Sequence, residues 1–211
     1  MKKILFLAAF ALVGMSANAQ LVTTTSRSIK VEKTPSNTIW LIRGGLTFAG
    51  LSGSDASDTD SRTGFNIGIE FQKPIHQGLY WGSGLGLKTK GYKWSNSGYK
   101  DEMNLTALEI PLNIGYKFDI IEDVKLDLHA GAFANFDLFG SKEYDSPYGS
   151  SDVSLSDFED YSRFDGGLSL GFGVWYQRFN INLNFQWGLF EQMDDFNAKE
   201  SNVMLSLGYA F

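Results

Sequence analysis

The feature that most constrains this chain is a series of segments in which every second side chain is apolar. The carboxyl-terminal segment places Val203, Leu205, Leu207, Tyr209 and Phe211 on one face and mostly small residues on the other. An alternation with a period of two residues predicts a β-strand with one apolar face. The length of the segment is close to the roughly nine to eleven tilted residues with which a strand crosses a bilayer.

Seven further segments alternate in the same way, and the predicted connections between the eight are long and short in turn. The predicted strands are Trp40–Phe48, Gly64–Lys73, Leu79–Tyr92, Leu108–Phe118, Lys125–Phe136, Arg163–Tyr176, Ile181–Leu189 and Val203–Phe211. The predicted long loops are Leu51–Arg62, Ser95–Met103, Gly140–Asp160 and Glu191–Lys199. An antiparallel meander with this rhythm collects all long loops at one end. The sequence therefore predicts an all-β fold over residues 39–211, an eight-stranded antiparallel up-and-down transmembrane β-barrel with long extracellular loops and short periplasmic turns.

The amino terminus has the three parts of a secretory signal peptide. Lys2 and Lys3 precede the apolar run Ile4–Val13, and Ala17-Asn18-Ala19 supplies a small-residue cleavage site. The apolar run is only about half the length of a transmembrane helix. We expect a signal peptide over residues 1–19 and a flexible periplasmic lead-in over residues 20–38.

Charge and cysteine content exclude several classes of function. Removing Lys2 and Lys3 changes the formal net charge from −6 to −8, which argues against nucleic acid as a partner. The chain has no cysteine, so disulfides and cysteine-ligated metals are excluded.

Alternation alone leaves open whether the apolar face contacts lipid or lines a ligand cavity, as in lipocalins. The polar face is rich in Gly, Asn and Ser, which suits the narrow lumen of an eight-stranded barrel. Aromatic residues of the apolar face concentrate at the strand ends, as bilayer interfaces favour. We therefore predict a lipid-facing apolar surface with two aromatic girdles, one near the short turns (Trp40, Phe71, Trp81, Tyr116, Phe118, Tyr176, Tyr209 and Phe211) and one near the long loops (Phe48, Phe65, Phe136, Phe164 and Trp187).

Charged residues of both signs are predicted on the inward face. The predicted lumen network is Arg43, Glu70, Lys88, Glu109, Lys117, Asp127, His129, Arg163 and Asp165. Strand order and depth predict three ion pairs: Arg43 with Glu70, Lys88 with Glu109, and Lys117 with Asp127. Such pairs would plug the lumen, and eight strands leave little room for a conducting pore.

Two groups of residues invite a catalytic or metal-binding interpretation. Asp127 and His129 point the same way with Ser169 on the next strand, but a catalytic triad needs a nucleophile signature that the sequence lacks. Asp55, Asp58 and Asp60 are clustered without the ligand spacing of an EF-hand. We predict no enzymatic activity, no cofactor and no metal site, while ion binding by the loop acids stays an open alternative.

The chain resembles a known family in its general pattern. The Ala-Asn-Ala-Gln signal end, the eight glycine-rich strands and the final Tyr-Ala-Phe are similar to the small PorT-type outer-membrane β-barrels. The resemblance implies an outer-membrane location, and some members of that family are linked to secretion-system assembly. An even number of strands would place both termini in the periplasm. Resemblance to other outer-membrane barrels also implies that Phe211 is an assembly signal, read by the barrel insertion machinery.

These observations favour one function over two alternatives. The favoured hypothesis is a non-enzymatic outer-membrane barrel with a plugged polar lumen, acting through its loops or its periplasmic end. Its roles would be envelope integrity, surface contact or docking to secretion or assembly proteins. The alternatives are a channel for small solutes and a lipid-modifying barrel enzyme. The expected partners are outer-membrane lipid, the insertion machinery and secretion or envelope proteins.

Overall fold

Antiparallel β-strands make up nearly all of the chain that the computed structural model describes, which is residues 37–53, 59–96, 99–146, 149–154, 161–190 and 198–211. The strands are β1 (Ile39–Gly53), β2 (Thr59–His76), β3 (Leu79–Asn96), β4 (Tyr99–Ile121), β5 (Val124–Ser146), β6 (Gly149–Ser154), β7 (Phe164–Tyr176), β8 (Phe179–Gly188) and β9 (Ala198–Ala210). None of these residues belongs to a helix with the length and apolarity needed to cross a membrane. The predicted signal peptide and most of the predicted lead-in lie outside the described residues.

Eight of the strands pair in a closed ring. The pairings run through β1, β2, β3, β4, β5, β7, β8 and β9 and return to β1. In the last pairing, Leu41 lies opposite Ala210 and Gly53 opposite Ala198. The amide of Phe211 adds a hydrogen bond of 2.9 Å to the carbonyl oxygen of Trp40. The predicted pairing of the terminal strand with the first strand is therefore present.

The ring has two distinct ends. At the turn end, two-residue turns join β2 to β3 at Gln77–Gly78, β4 to β5 at Glu122–Asp123, and β7 to β8 at Gln177–Arg178. Gly78 has a φ of 79°, and a Cβ there would lie 2.6 Å from the carbonyl oxygen of Lys117. This tight turn therefore requires glycine. At the other, extended end, β4 and β5 continue to 23 residues each, whereas β8 has 10.

The structure corrects the predicted number of strands and the predicted long loops. The described residues contain nine strands, because β5 runs on to Ser146 and then returns as β6 through the predicted loop Gly140–Asp160. Strands also extend into the three other predicted loops, which places Asp60 in β2. Alternation did not reveal β6 because both of its faces are exposed and, apart from Val153, polar, as in Ser150, Ser151 and Asp152. Asp55 and Asp58 lie outside the described residues.

The two faces of the ring separate apolar from polar side chains. In β9, Leu205 and Leu207 are exposed on the outward face, while Met204 and Ser206 are buried on the inward face, as predicted. The predicted girdle aromatics are all exposed except Phe71 and Trp81. These two rings are half-buried because their centroids lie 5.1 Å apart in an edge-to-face contact.

A β-bulge interrupts the alternation in β5. Ala107 of β4 lies opposite Asp137, but the preceding Thr106 lies opposite Phe139, so Leu138 is an extra residue. Leu138 and Phe139 are consequently both exposed. Beyond the bulge the inward side chains of β5 are even-numbered, and Lys142 lies opposite the buried Met103.

Substitution of two adjacent glycines tests the packing of β1 against β9. A Cβ at Gly45 would lie 2.0 Å from the carbonyl oxygen of Leu205, whereas at Gly44 the nearest atom is 3.7 Å away. We expect Gly45→Ala to lower the free energy of unfolding by about 1–3 kcal/mol, and Gly44→Ala to change it by less than about 0.5 kcal/mol. Urea unfolding of the refolded protein, followed by tryptophan fluorescence, measures both. Equal stability of the two variants would contradict this close approach of β1 and β9.

Candidate functional site

The candidate site is the interior of the strand ring, which is filled by charged and amide side chains. Its buried members include Gln72, Lys88, Lys90, Asp127, His129, Asn135, Asp137, Asp165, Asn180, Asn182, Asn184, Gln186, Glu200 and Asn202. They reach the interior because each occupies an inward position of a strand, where its neighbours in sequence point outward. Polar groups buried in this way must find partners in the interior.

Asp127 is the centre of the network near the turn end. Its Oδ1 accepts a hydrogen bond of 2.7 Å from the hydroxyl of Tyr80, and its Oδ2 accepts one of 2.9 Å from Nε1 of Trp175. Nδ1 of His129 lies 3.3 Å from Oδ1. These three groups tie β3, β5 and β7 together across the ring.

The predicted ion pair of Lys117 with Asp127 is wrong. The two residues lie directly opposite each other in β4 and β5, but no ion pair within 4 Å joins them. The ammonium group of Lys117 instead donates a hydrogen bond of 2.6 Å to Oε1 of Gln72 and lies 3.9 Å from the ring centroid of Trp175. Strand pairing fixes the Cα positions, but the long lysine side chain reaches past the carboxylate to a cation–π contact.

The other two predicted ion pairs are present. Arg43 Nη1 lies 3.0 Å from Oε1 of Glu70, and Lys88 Nζ lies 3.0 Å from Oε2 of Glu109. Both pairs join neighbouring strands at matching depth.

The network near the extended end contains three charged residues and one tyrosine that the predicted lumen network did not include. Lys90 Nζ lies 2.7 Å from Oε2 of Glu200 and 3.0 Å from Oδ1 of Asp137, while Glu200 Oε1 lies 3.1 Å from Lys88. Tyr161 donates a hydrogen bond of 2.5 Å to Oδ2 of Asp137. Glu200 lay between a predicted loop and the last predicted strand, and Asp137 lay just after a predicted strand. The position of Lys90 on a polar face was a usable signal.

Two predicted network residues near the start of β7, Arg163 and Asp165, differ in burial. Asp165 is fully buried on the inward face, opposite Asn135. Arg163 is exposed, so its predicted place in the lumen is wrong. The reason is that β7 begins only at Phe164, and strand alternation does not apply before it.

His129 is packed as a structural side chain. Its Nε2 lies 3.3 Å from Nδ2 of Asn184, and a Cβ at Gly171 would approach Nε2 to 2.0 Å. The hydroxyl of Ser169 instead donates to Oδ1 of Asn113 at 3.3 Å. Among the described residues, no hydrogen bond joins Ser169 to His129, and the geometry gives no support to a catalytic triad.

The space left inside the ring is small. A cavity of about 50 Å³ lies midway along the interior, with Arg43, Asn66, Glu70 and Met204 among its lining residues. Ligand pockets commonly measure roughly 300–1,000 Å³. This cavity is therefore much smaller than an ordinary ligand pocket.

A smaller group of charges lies at the extended end, beyond the buried networks. Glu102 Oε1 lies 3.1 Å from both Nε of Arg62 and Nζ of Lys93. Burial raises the pKa of Glu102, but hydrogen bonds and charge from Lys93 and Arg62 outweigh it and hold the pKa below the ordinary value for glutamate.

Several solved structures are similar to this chain. Ail of Yersinia pestis is 17% identical, with 83% of this chain and 99% of that chain covered and a TM-score of 0.46. Neisserial surface protein A is 17% identical over 82% and 97% of the chains, with a TM-score of 0.48. OprG of Pseudomonas aeruginosa is 11% identical over 83% and 97%, with a TM-score of 0.45. Similarity at this level does not extend to function.

A family comparison is more decisive. No curated protein matches the chain. The model of the family described as "Outer membrane protein beta-barrel domain" matches residues 18–193, which is most of the chain. The chain belongs to this family of outer-membrane β-barrel domains.

Proposed function

We propose that the chain is a non-enzymatic, eight-stranded transmembrane barrel of the outer membrane whose lumen is closed and whose function lies at its ends. The lumen is the interior described above. The observation that carries the proposal is the filling of this interior by buried ion pairs and hydrogen bonds around a cavity of only about 50 Å³. Among the roles open to such a barrel, we favour surface contact through the extended end.

The outward face supports a position in the membrane. Large apolar side chains are exposed on every strand of the ring, for example Ile42, Leu85, Leu128, Leu170 and Leu207. Soluble monomers rarely expose an apolar patch that encircles the molecule. Outer-membrane lipid would cover this belt, the aromatic girdles would lie at its two interfaces, and the closed ring would leave no unpaired strand edge in hydrocarbon.

The layout of the strands supports an orientation. Outer-membrane barrels keep short turns on the periplasmic side. The turn end would then face the periplasm together with both termini, and the extended end would face outward. The similarity to PorT-type barrels belongs to this proposal as well, with secretion or envelope proteins as candidate partners at the periplasmic end.

The buried charges argue against a channel. Lys88 is fully enclosed between Glu109 and Glu200, and removing one partner of a buried pair typically costs about 3–5 kcal/mol. A conducting path along the lumen would have to separate such pairs. A lipid-modifying enzyme has less support, because His129 is directed at Asp127 and Asn184 inside the ring.

Planar-bilayer recording tests the closed lumen. We expect purified, refolded protein to produce no steady stepwise conductance, because the ion pairs of Lys88 and Lys90 span the interior near the extended end. A general porin inserted under the same conditions serves as the positive control. Reproducible conductance steps from the pure folded protein would overturn the closed lumen and revive the channel.

The extended end is the part of the barrel best suited to surface contact. There, β3, β4, β5 and β6 form a sheet that continues beyond the apolar belt. Its side chains mix exposed polar residues with exposed Tyr144 and Val153. A surface that combines a polar rim with exposed aromatic and aliphatic groups is typical of protein contact sites.

Shortening the β5–β6 hairpin tests this role. Replacing residues 143–152 by an Asn-Gly turn keeps Lys142 and Val153, which lie opposite each other. It shortens the ring strands only at the far end of β5, where residues 143–145 pair with β4. With a membrane-impermeant cross-linker on intact cells, we expect the shortened barrel to lose adducts that the full chain forms. Heat-modifiable gel mobility checks that the variant is folded. Identical adducts from both chains would contradict a contact role for the hairpin.

We also propose that the insertion machinery recognises Phe211. Its side chain is exposed, and its backbone amide already pairs with Trp40, so a side-chain substitution leaves the ring closure intact. We expect Phe211→Ala to lower the fraction of assembled barrel in outer-membrane fractions, while Phe211→Tyr retains it. Both variants should refold equally in detergent. Normal assembly of Phe211→Ala in cells would refute recognition of the aromatic ring.

A further inference from the structure

The two halves of the interior differ in their balance of charge. The charged side chains of the turn half, leaving aside the imidazole of His129, are Arg43, Glu70, Lys117 and Asp127. In the extended half, the charged side chains nearest the middle of the interior are here named the outer cluster: Lys88, Lys90, Glu109, Asp137, Asp165 and Glu200. The less buried ion pairs of Glu102 with Arg62 and Lys93, and of Lys142 with Asp101, lie beyond this cluster. Bases and acids are equal in number in the turn half. Within the outer cluster, four acids outnumber two bases.

Asp165 is the acid of the outer cluster that has no cationic partner. Lys88 and Lys90 lie within about 3 Å of the three other acids. Asp165 is 0% exposed, and within the described residues neither of its oxygens accepts a hydrogen bond or lies within 4 Å of a basic nitrogen. The carboxyl group of Glu200 lies within hydrogen-bonding reach of Asp165, and the two groups repel each other when both are ionised. Either a bound cation or a shared proton relieves this repulsion. A buried, unpaired carboxylate is strongly unfavourable.

A side chain that has no hydrogen-bond partner within the described residues lies directly beside Asp165. Asn135 is opposite Asp165 on one side and opposite Glu109 on the other, and it is 1% exposed. Neither Oδ1 nor Nδ2 of Asn135 has a hydrogen-bond partner within the described residues. Side chains directly opposite each other in paired strands have Cβ atoms about 4.5–5.5 Å apart. The amide oxygen of Asn135 and the carboxyl group of Asp165 therefore share one small region of the interior.

We propose that Asp165 and Asn135 bind a hard divalent cation of the Ca²⁺ class at the extended end of the lumen. Carboxylate and amide oxygens are ligands that such ions prefer, and a charge of +2 balances the excess of the outer cluster. No group of three or more His, Asp or Glu side chains in the described residues is arranged around a metal position. The site therefore combines the carboxyl group of Asp165 with the amide oxygen of Asn135.

The outer cluster reaches the partly exposed residues of the extended end. Tyr161 hydrogen-bonds Asp137 and is only half-buried. Exchange of an ion held among buried side chains is expected to be slow, so the protein is refolded both with and without the ion.

Terbium luminescence provides a direct test, with Tb³⁺ as the probe. Refolded full-length protein is stripped with EDTA and titrated with Tb³⁺ under excitation of its aromatic residues. We expect saturable emission that Ca²⁺ displaces. Asp165→Asn should abolish this emission, and Asn135→Leu should weaken binding by about tenfold or more. The matched control Asp152→Asn removes an exposed acid of β6 and should leave the emission unchanged.

A thermal readout separates loss of binding from loss of folding. At about 100 times its Kd, Ca²⁺ should raise the apparent unfolding temperature of the unsubstituted chain by roughly 5 °C or more. In EDTA, Asp165→Asn should unfold at a higher temperature than the unsubstituted chain, because it lacks the unpaired charge, and Ca²⁺ should not shift it. Absence of saturable Tb³⁺ binding to the unsubstituted chain would overturn the proposal and point to a proton shared by Asp165 and Glu200. Equal binding by Asp165→Asn would also overturn it.

Discussion

The pairing of β1 with β9 is the constraint on which the rest of the structure depends. With it, every strand of the ring has two neighbours, and the backbone groups of all eight are paired. A membrane requires this closure, because hydrocarbon offers no substitute for a missing hydrogen bond. Closure also divides the side chains of every ring strand into an outward and an inward set. The apolar belt and the polar interior are two consequences of the same ring.

A ring of eight strands is narrow, and its narrowness decides the chemistry of the interior. Side chains from opposite walls meet, so Lys88 of β3 contacts Gln186 of β8 and Glu200 of β9. A charge buried in this interior is stable only if a partner of opposite sign or several hydrogen bonds compensate it. The interior therefore behaves as a solid core made of polar groups, with Asp127 and Glu200 as its two main junctions.

Sequence patterns predicted the ring well because its two faces differ so strongly. The positions of all eight ring strands followed from period-two alternation, as did the inward Met204 and Ser206. The same reasoning failed where the two faces of a strand do not differ in polarity. Beyond the belt, β6 is exposed on both faces, so its pairing depends on backbone hydrogen bonds, which produce no periodic pattern in the sequence. The extra residue Leu138 was equally hidden, because a bulge shifts register without changing composition.

Interior contacts were predicted correctly where strand order alone determines which side chains meet. Arg43 meets Glu70 because neighbouring strands place them at equal depth, but strand order does not say how a long side chain bends. Lys117 shows this limit, since an aromatic ring competes with the carboxylate opposite it. The excess charge of the outer cluster was beyond sequence reasoning for another reason. It depends on Glu200, which joins the interior only because β9 begins before the apolar alternation does. The extended end of the lumen, where acids outnumber bases, is thus the end at which strands continue beyond the segments of alternating apolar residues.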